Sequence, residues 1–170
     1  MVKFVDQHPV VGWDKKIPVH PDLILQAKGV QDLLLSWPGR PFLDNRPFRQ
    51  LHSDASAGGW AGIDSTGNQA IQEFWRGDRE QHINWKELWA SINTVLSFAR
   101  DGEKVKIHVD NSVAYSYLKK LGGRKTPFND LLRPLVCHII SRGIILEPVL
   151  VPSAEQKADA LSRWLQDRGD

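Results

Sequence analysis

Residues 104–110, KVKIHVD, alternate strictly, with Val105, Ile107 and Val109 on one face and Lys104, Lys106 and His108 on the other. A period of two belongs to a strand with one buried face. Helical patterns flank it. On the N-terminal side, Trp85, Leu88, Trp89, Ile92, Val95, Leu96 and Ala99 form one apolar stripe over residues 84–100, closed by Asp101-Gly102. A strand entered from one helix and left through another belongs in a sheet that helices cover. Upstream, β-like runs at 48–54, 58–63 and 69–76 are separated by the turns Gly58-Gly59 and Ser65-Thr66-Gly67-Asn68, which predicts an antiparallel meander. Downstream come helices at 111–120 and 128–142, the β-branched run 144–151 and a last helix at 155–167. The order βββ-α-β-αα-β-α predicts an α/β fold, a mixed five-stranded sheet with three antiparallel strands, then parallel strands, and flanking helices.

Residues 1–47 read differently. Pro9, Pro18, Pro21, Pro38, Pro41 and Pro47 surround one helical pattern, Leu23, Ala27, Val30, Leu34 and Trp37, so this stretch is expected to be a proline-rich arm leading into a domain at 48–170. With 170 residues, 41% apolar and 25% charged, the chain is sized for one such domain with an appendage. No run approaches the roughly 18 to 20 apolar residues of a membrane span, and the first twenty residues lack a signal-peptide core. The expected location is therefore intracellular, with nucleus and cytoplasm not distinguished and the oligomeric state open. The single Cys137 excludes an intrachain disulfide and a Cys-based zinc site, and it is expected in the core. A net charge of +2 is too small to announce a nucleic-acid partner.

Four carboxylates stand at element ends. Asp54 closes the first strand and could cap a turn. Glu87 follows Asn84 by three residues, close to a capping box, Asp110 precedes a helix as an N-cap would, and Asp159 opens the last helix. Each has an ordinary explanation alone. Together they do not, because adjacent parallel strands end at the same sheet edge, which sets Asp54 beside Asp110 with the two helix starts facing them. Four converging carboxylates repel unless a cation lies among them, and oxygen-only ligands suit magnesium or manganese. Two such ions about 3.5 to 4 Å apart are a general device for phosphodiester displacement.

The segments SDAS (53–56), NWKEL (84–88), HVDNSVA (108–114) and KADALSRW (157–164) carry a resemblance: from Phe48 to Trp164 the chain resembles the ribonuclease H domain, particularly that of retrotransposon reverse transcriptases. The arm with WPGRPF resembles the connection from a polymerase, most like that of tyrosine-recombinase or gypsy-like elements. The resemblance implies that Asp54, Glu87, Asp110 and Asp159 are catalytic and bind two Mg2+ ions, for which Mn2+ can substitute. It also implies the RNA strand of an RNA/DNA hybrid as substrate, an upstream polymerase as a partner, and contacts to the hybrid from Ser56 and Asn84. Two features depart from the family. The loop VPSAEQKAD lacks the histidine many members have, and in place of an extra basic helix stands the turn KKLGGRKTP. Lys119, Lys120, Arg124 and Lys125 there either track phosphate or form a solvated turn. Trp75, Trp85, Trp89 and Trp164 are expected to pack rather than stack on bases, and Pro134 to kink its helix or delay its start. The competing functions are a DNA nuclease on the same fold and a domain that binds nucleic acid or protein without cutting.

Overall fold

Strand β1 (Phe48–Ala55) is the middle strand of five, flanked on one side by β2 (Gly59–Asp64) and β3 (Gln69–Phe74) and on the other by β4 (Lys104–Val109) and β5 (Ile145–Leu150), in the order β3-β2-β1-β4-β5. The computed structural model describes residues 18–36, 44–77 and 80–168. The chain divides into two compact units, Met1–Pro38 and Gly39–Asp170. The first contains α1 (Pro21–Ser36), where the apolar spacing predicted a helix; Trp37 at the end of that pattern lies outside the described residues. In the second unit β1 and β2 pair antiparallel, β2 and β3 antiparallel, β1 and β4 parallel, and β4 and β5 parallel. His52 lies opposite His108 in the β1–β4 register, so both strands run out at one edge with Asp54 and Asp110 two residues further on.

The alternation in β4 does what its period requires. Val105, Ile107 and Val109 are fully buried and meet Leu51 of β1, Leu88 and Val95 of α2 (Ile83–Phe98), Leu118 of α3 (Ser112–Lys120), and Leu132 and Leu135 of α4 (Thr126–Ser141). Each such side chain contributes about 1.5–3 kcal/mol on burial, so this face fixes β4 and the helices over it. Gly62 lets α2 approach β2, since a side chain there would collide with Thr94. A second cluster joins Trp60, Trp75, Ala55 and Ala90 with the half-buried Trp85 and Trp89. Trp89 stands edge-on to Trp60 and Trp75, with centroids at 5.3 and 5.8 Å, so these indoles pack as expected.

At the end of β1 away from Asp54, Arg49 ties β1 to the last residue of β2 and to the residue before β4. Its Nη1 donates to Asp64 Oδ2 at 2.5 Å, and its Nε and Nη2 donate to the two oxygens of Glu103 at 2.7 Å each. Asp44 and Arg46, counted with the arm by sequence, join this end. Lys104 Nζ donates to the Asp44 carbonyl at 2.7 Å, and Arg46 bonds both Asp44 and the Gly102 carbonyl.

The differences from expectation are local. Asn84 is not a cap: His82 caps α2, its Nδ1 accepting from Asn84 N at 3.1 Å. Likewise Asn111, not Asp110, caps α3, accepting from Val113 N and Ala114 N at 3.0 Å each. Pro134 lies inside α4 without delaying its start, and Pro127 occupies the first turn, where its missing N–H costs nothing. Cys137 is exposed, because the inward positions of α4 are Phe128, Leu132, Leu135 and Ile139. The last helix, α5 (Asp159–Arg168), begins after a short 3-10 turn (Ser153–Glu155), with Ala158 buried just before it and Ser162 and Leu165 as its inward positions, which turns Trp164 outward. Among the described residues no helix is long and apolar enough to cross a membrane.

Candidate metal centre

The sheet edge where β1 and β4 end is built from three elements. Helix α2 is pinned to β1 by the Ser53 and Ser91 hydroxyls, 2.8 Å apart, while Ser91 Oγ also reaches the Glu87 carbonyl at 2.8 Å. That anchor brings Glu87, one turn earlier, over the end of β1. Asp54 is the penultimate residue of β1, and Asp110 follows β4, freed from capping by Asn111. One oxygen from each of Asp54, Glu87 and Asp110 lies within 4.8 Å of the other two. Asp54 and Glu87 are each 5% exposed and Asp110 is half-buried.

Burial and crowding raise the affinity of Asp54 and Glu87 for protons. Burial pushes Asp54 up to about 6 against the Ser162 hydroxyl, which lowers it, and the charges of Asp110 and Asp159 add to the rise. Glu87 is pushed up to about 9, by burial first and then by the carboxylates of Asp54 and Asp110. Its Oε2 is buried and has no hydrogen-bond partner. An unpartnered buried oxygen among three hard oxygen donors is what a divalent cation would satisfy, so the residues present fit one.

Asp159 stands apart from this group of three. It opens α5, where Arg163 Nε donates to its Oδ1 at 2.7 Å, although its charge still reaches Asp54 and Glu87. Ser56 lies in the interior: its hydroxyl donates to the Ser162 carbonyl at 2.7 Å and its own carbonyl accepts from the Trp75 indole at 2.9 Å. Asn84 is half-buried beside the centre, its Oδ1 accepting from Asn111 Nδ2 at 2.9 Å. Lys119, Lys120, Arg124 and Lys125 are exposed at the far end of α3, and Lys119 Nζ donates to the Tyr115 hydroxyl at 3.1 Å.

Sequence reasoning gave no role to two groups beside the centre. His52 and His108 stack at 4.4 Å and 15°, with His108 Nε2 2.8 Å from Gln50 Oε1 and the Gln156 amide donating to the His108 carbonyl at 3.1 Å. Burial, then the neighbouring His108, pushes His52 down to about 4, so it is uncharged at neutral pH. The i, i+2 placement of His52 before Asp54 and His108 before Asp110 was the available signal, since both pairs must share a sheet face. Ser162 is the other: its hydroxyl donates to Asp54 Oδ2.

Among solved structures, ribonuclease H1 of the halophilic archaeon Halobacterium salinarum NRC-1 superposes with a TM-score of 0.50 at 19% identity, covering 72% of this chain and 99% of that one. The fold is ribonuclease H-like. An N-terminal ribonuclease H domain from Mycobacterium tuberculosis, solved as a fusion with maltose-binding protein, aligns with a TM-score of 0.48 at 14% identity, covering 71% of this chain and 94% of that one. No protein-family model and no curated protein sequence matches the chain.

Proposed function

We propose that the chain is a divalent-metal-dependent endoribonuclease that hydrolyses the RNA strand of RNA/DNA hybrids. The observation that carries this reading is the convergence of Asp54, Glu87 and Asp110, from three elements far apart in sequence, at one edge of a ribonuclease H-like sheet. Such a cluster weakens the metal-free fold, because burial and mutual repulsion oppose ionisation of Asp54 and Glu87. A cation removes that penalty.

Asp54, Glu87 and Asp110 would hold Mg2+, or Mn2+ in its place, with Asp159 at the rim as the fourth carboxylate of a two-ion set. Bound there, the ions supply an activated water and stabilise the leaving oxygen of a phosphodiester. The protein's other residues then position the duplex. The Asn84 amide, fixed by Asn111, is of a length to reach 2′-hydroxyls in the shallow minor groove of a hybrid. Helix α3 rises about 1.5 Å per residue, which puts Lys119 and Lys120 about 12–14 Å from Asn111 along the helix, where they would be free to meet backbone phosphates of a bound duplex. The resemblance of the arm with WPGRPF supports a place within, or descent from, a reverse transcriptase with a polymerase upstream.

The test is incubation of the purified chain with labelled RNA/DNA, RNA/RNA and DNA/DNA duplexes in Mg2+ or Mn2+. The expected result is cutting of the RNA strand of the hybrid alone, abolished by EDTA. Equal cutting of the all-DNA duplex would make the chain a DNA nuclease, and a hybrid shifted in a gel but left whole would make it a binding domain.

A further inference from the structure

The Ser162 hydroxyl bonds Asp54 Oδ2 where solvent has almost no access, Ser162 being 0% and Asp54 5% exposed. Packing does not require a hydroxyl at an inward position of α5 between Ala158 and Leu165, where an alanine would bury no polar atom. Nor does the hydroxyl need Asp54 for its own sake, because the Asp159 carbonyl in the preceding turn lies 3.1 Å away as a local acceptor. The backbone of the same residue is held as well: Ser56, just past β1, donates its hydroxyl to the Ser162 carbonyl at 2.7 Å. Residue 162 is thus tied to the end of β1 through both its carbonyl and its side chain.

We propose that Ser162 is a positioning residue of the acid cluster: its hydroxyl fixes the rotation of the Asp54 carboxylate toward Glu87 and Asp110 and makes ion binding depend on the docking of α5. This rests on reading Asp54, Glu87 and Asp110 as metal ligands. Partners that orient a ligand typically change metal affinity about 10- to 100-fold when removed.

The experiment is calorimetric titration of Mn2+ into the full chain as wild type, Ser162→Ala and Ser162→Cys, with thermal unfolding of each in EDTA. Cysteine keeps the volume of the side chain while offering only a weak donor, so it separates the hydrogen bond from packing and carries the test if the alanine variant does not fold. Both variants should bind Mn2+ about 10- to 100-fold more weakly than wild type. Wild-type affinity in both, or a loss in the alanine variant alone, would overturn the proposal and leave Ser162 a packing residue. A wild-type chain that binds no Mn2+ would instead overturn the metal-centre reading, and this inference with it.

Discussion

Asn84 Oδ1 accepts a hydrogen bond from Asn111 Nδ2 at 2.9 Å, clasping the first turn of α2 to the N-cap of α3. The two residues flank Glu87 and Asp110, so the clasp sets the spacing of two of the three clustered carboxylates. Asn111 uses its other side-chain atom to cap α3. Asn111→Ala should therefore lose a cap worth about 0.5–2 kcal/mol and a clasp worth about 1 kcal/mol, whereas Asn84→Ala loses the clasp alone. Urea unfolding of both single variants and the double variant measures the coupling directly, which should be about 1 kcal/mol.

Arg49 holds two acids together outside the apolar core. Asp64 is fully buried and bonds Arg49 and the Thr66 backbone N–H, and Arg49 also holds both oxygens of Glu103. Arg49→Ala strands the Asp64 carboxylate in the interior, which should cost about 3–5 kcal/mol. The urea midpoint should fall sharply, and adding Asp64→Ala should recover part of the loss.

Much of the architecture was legible because periodicity and burial coincide. Val105, Ile107 and Val109 had one face available to them, and β4 formed with that face inward. What remained illegible depended on partners distant in sequence. A histidine Nδ1 can cap a helix, yet histidine is not a favoured cap, so His82 left the role to Asn84 in the sequence reading. Apolar character alone suggested a buried Cys137, but the helix phase set by Leu132, Leu135 and Ile139 turns it outward. The KADALSR segment contained an i, i+4 acid–base pair that draws Asp159 toward Arg163, while the bond between Ser162 and Asp54 spans 108 residues and no local pattern announces it.

Above about pH 6.5 the stability of the metal-free chain should fall as pH rises. Glu87 is raised from 4.5 to about 9 and Asp54 from 3.8 to about 6. At these two sites the folded chain binds more protons than the unfolded chain, so their contributions decline from about pH 4 up to about 6 for Asp54 and up to about 9 for Glu87, while His52, pushed from 6.5 down to about 4, gains stability over about pH 4–6.5 and opposes them there; the net fall is expected from about pH 6.5 to 9. Ions that compete with those protons should reverse the trend, so stabilisation by Mg2+ should grow with pH. Melting temperatures across this range, in EDTA and in saturating Mg2+, check the sign. Glu87→Gln should remove most of the slope in EDTA.

Asp110→Asn should abolish cleavage of the hybrid while leaving the fold intact. Asp110 caps no helix, and its charge raises both Asp54 and Glu87, so its loss relieves repulsion in the metal-free state. Circular dichroism should match wild type, and the melting temperature in EDTA should be equal or higher. Wild-type turnover in this variant would remove Asp110 from the catalytic set.

The basic turn is tested by salt. Lys119, Lys120, Arg124 and Lys125 are exposed, Lys119 leans on Tyr115, and the Lys125 backbone N–H is fixed by the Tyr117 hydroxyl at 3.0 Å, so the turn is held in shape. Each phosphate contact contributes about 0.9 to the slope of log affinity against log salt on a B-form duplex. If a hybrid behaves comparably, neutralising all four should flatten the slope by up to about 3–4. The Michaelis constant should rise more than turnover falls, because contacts to the backbone hold ground and transition states alike. An unchanged slope would take these four residues out of the binding surface and confine recognition to the neighbourhood of Asn84.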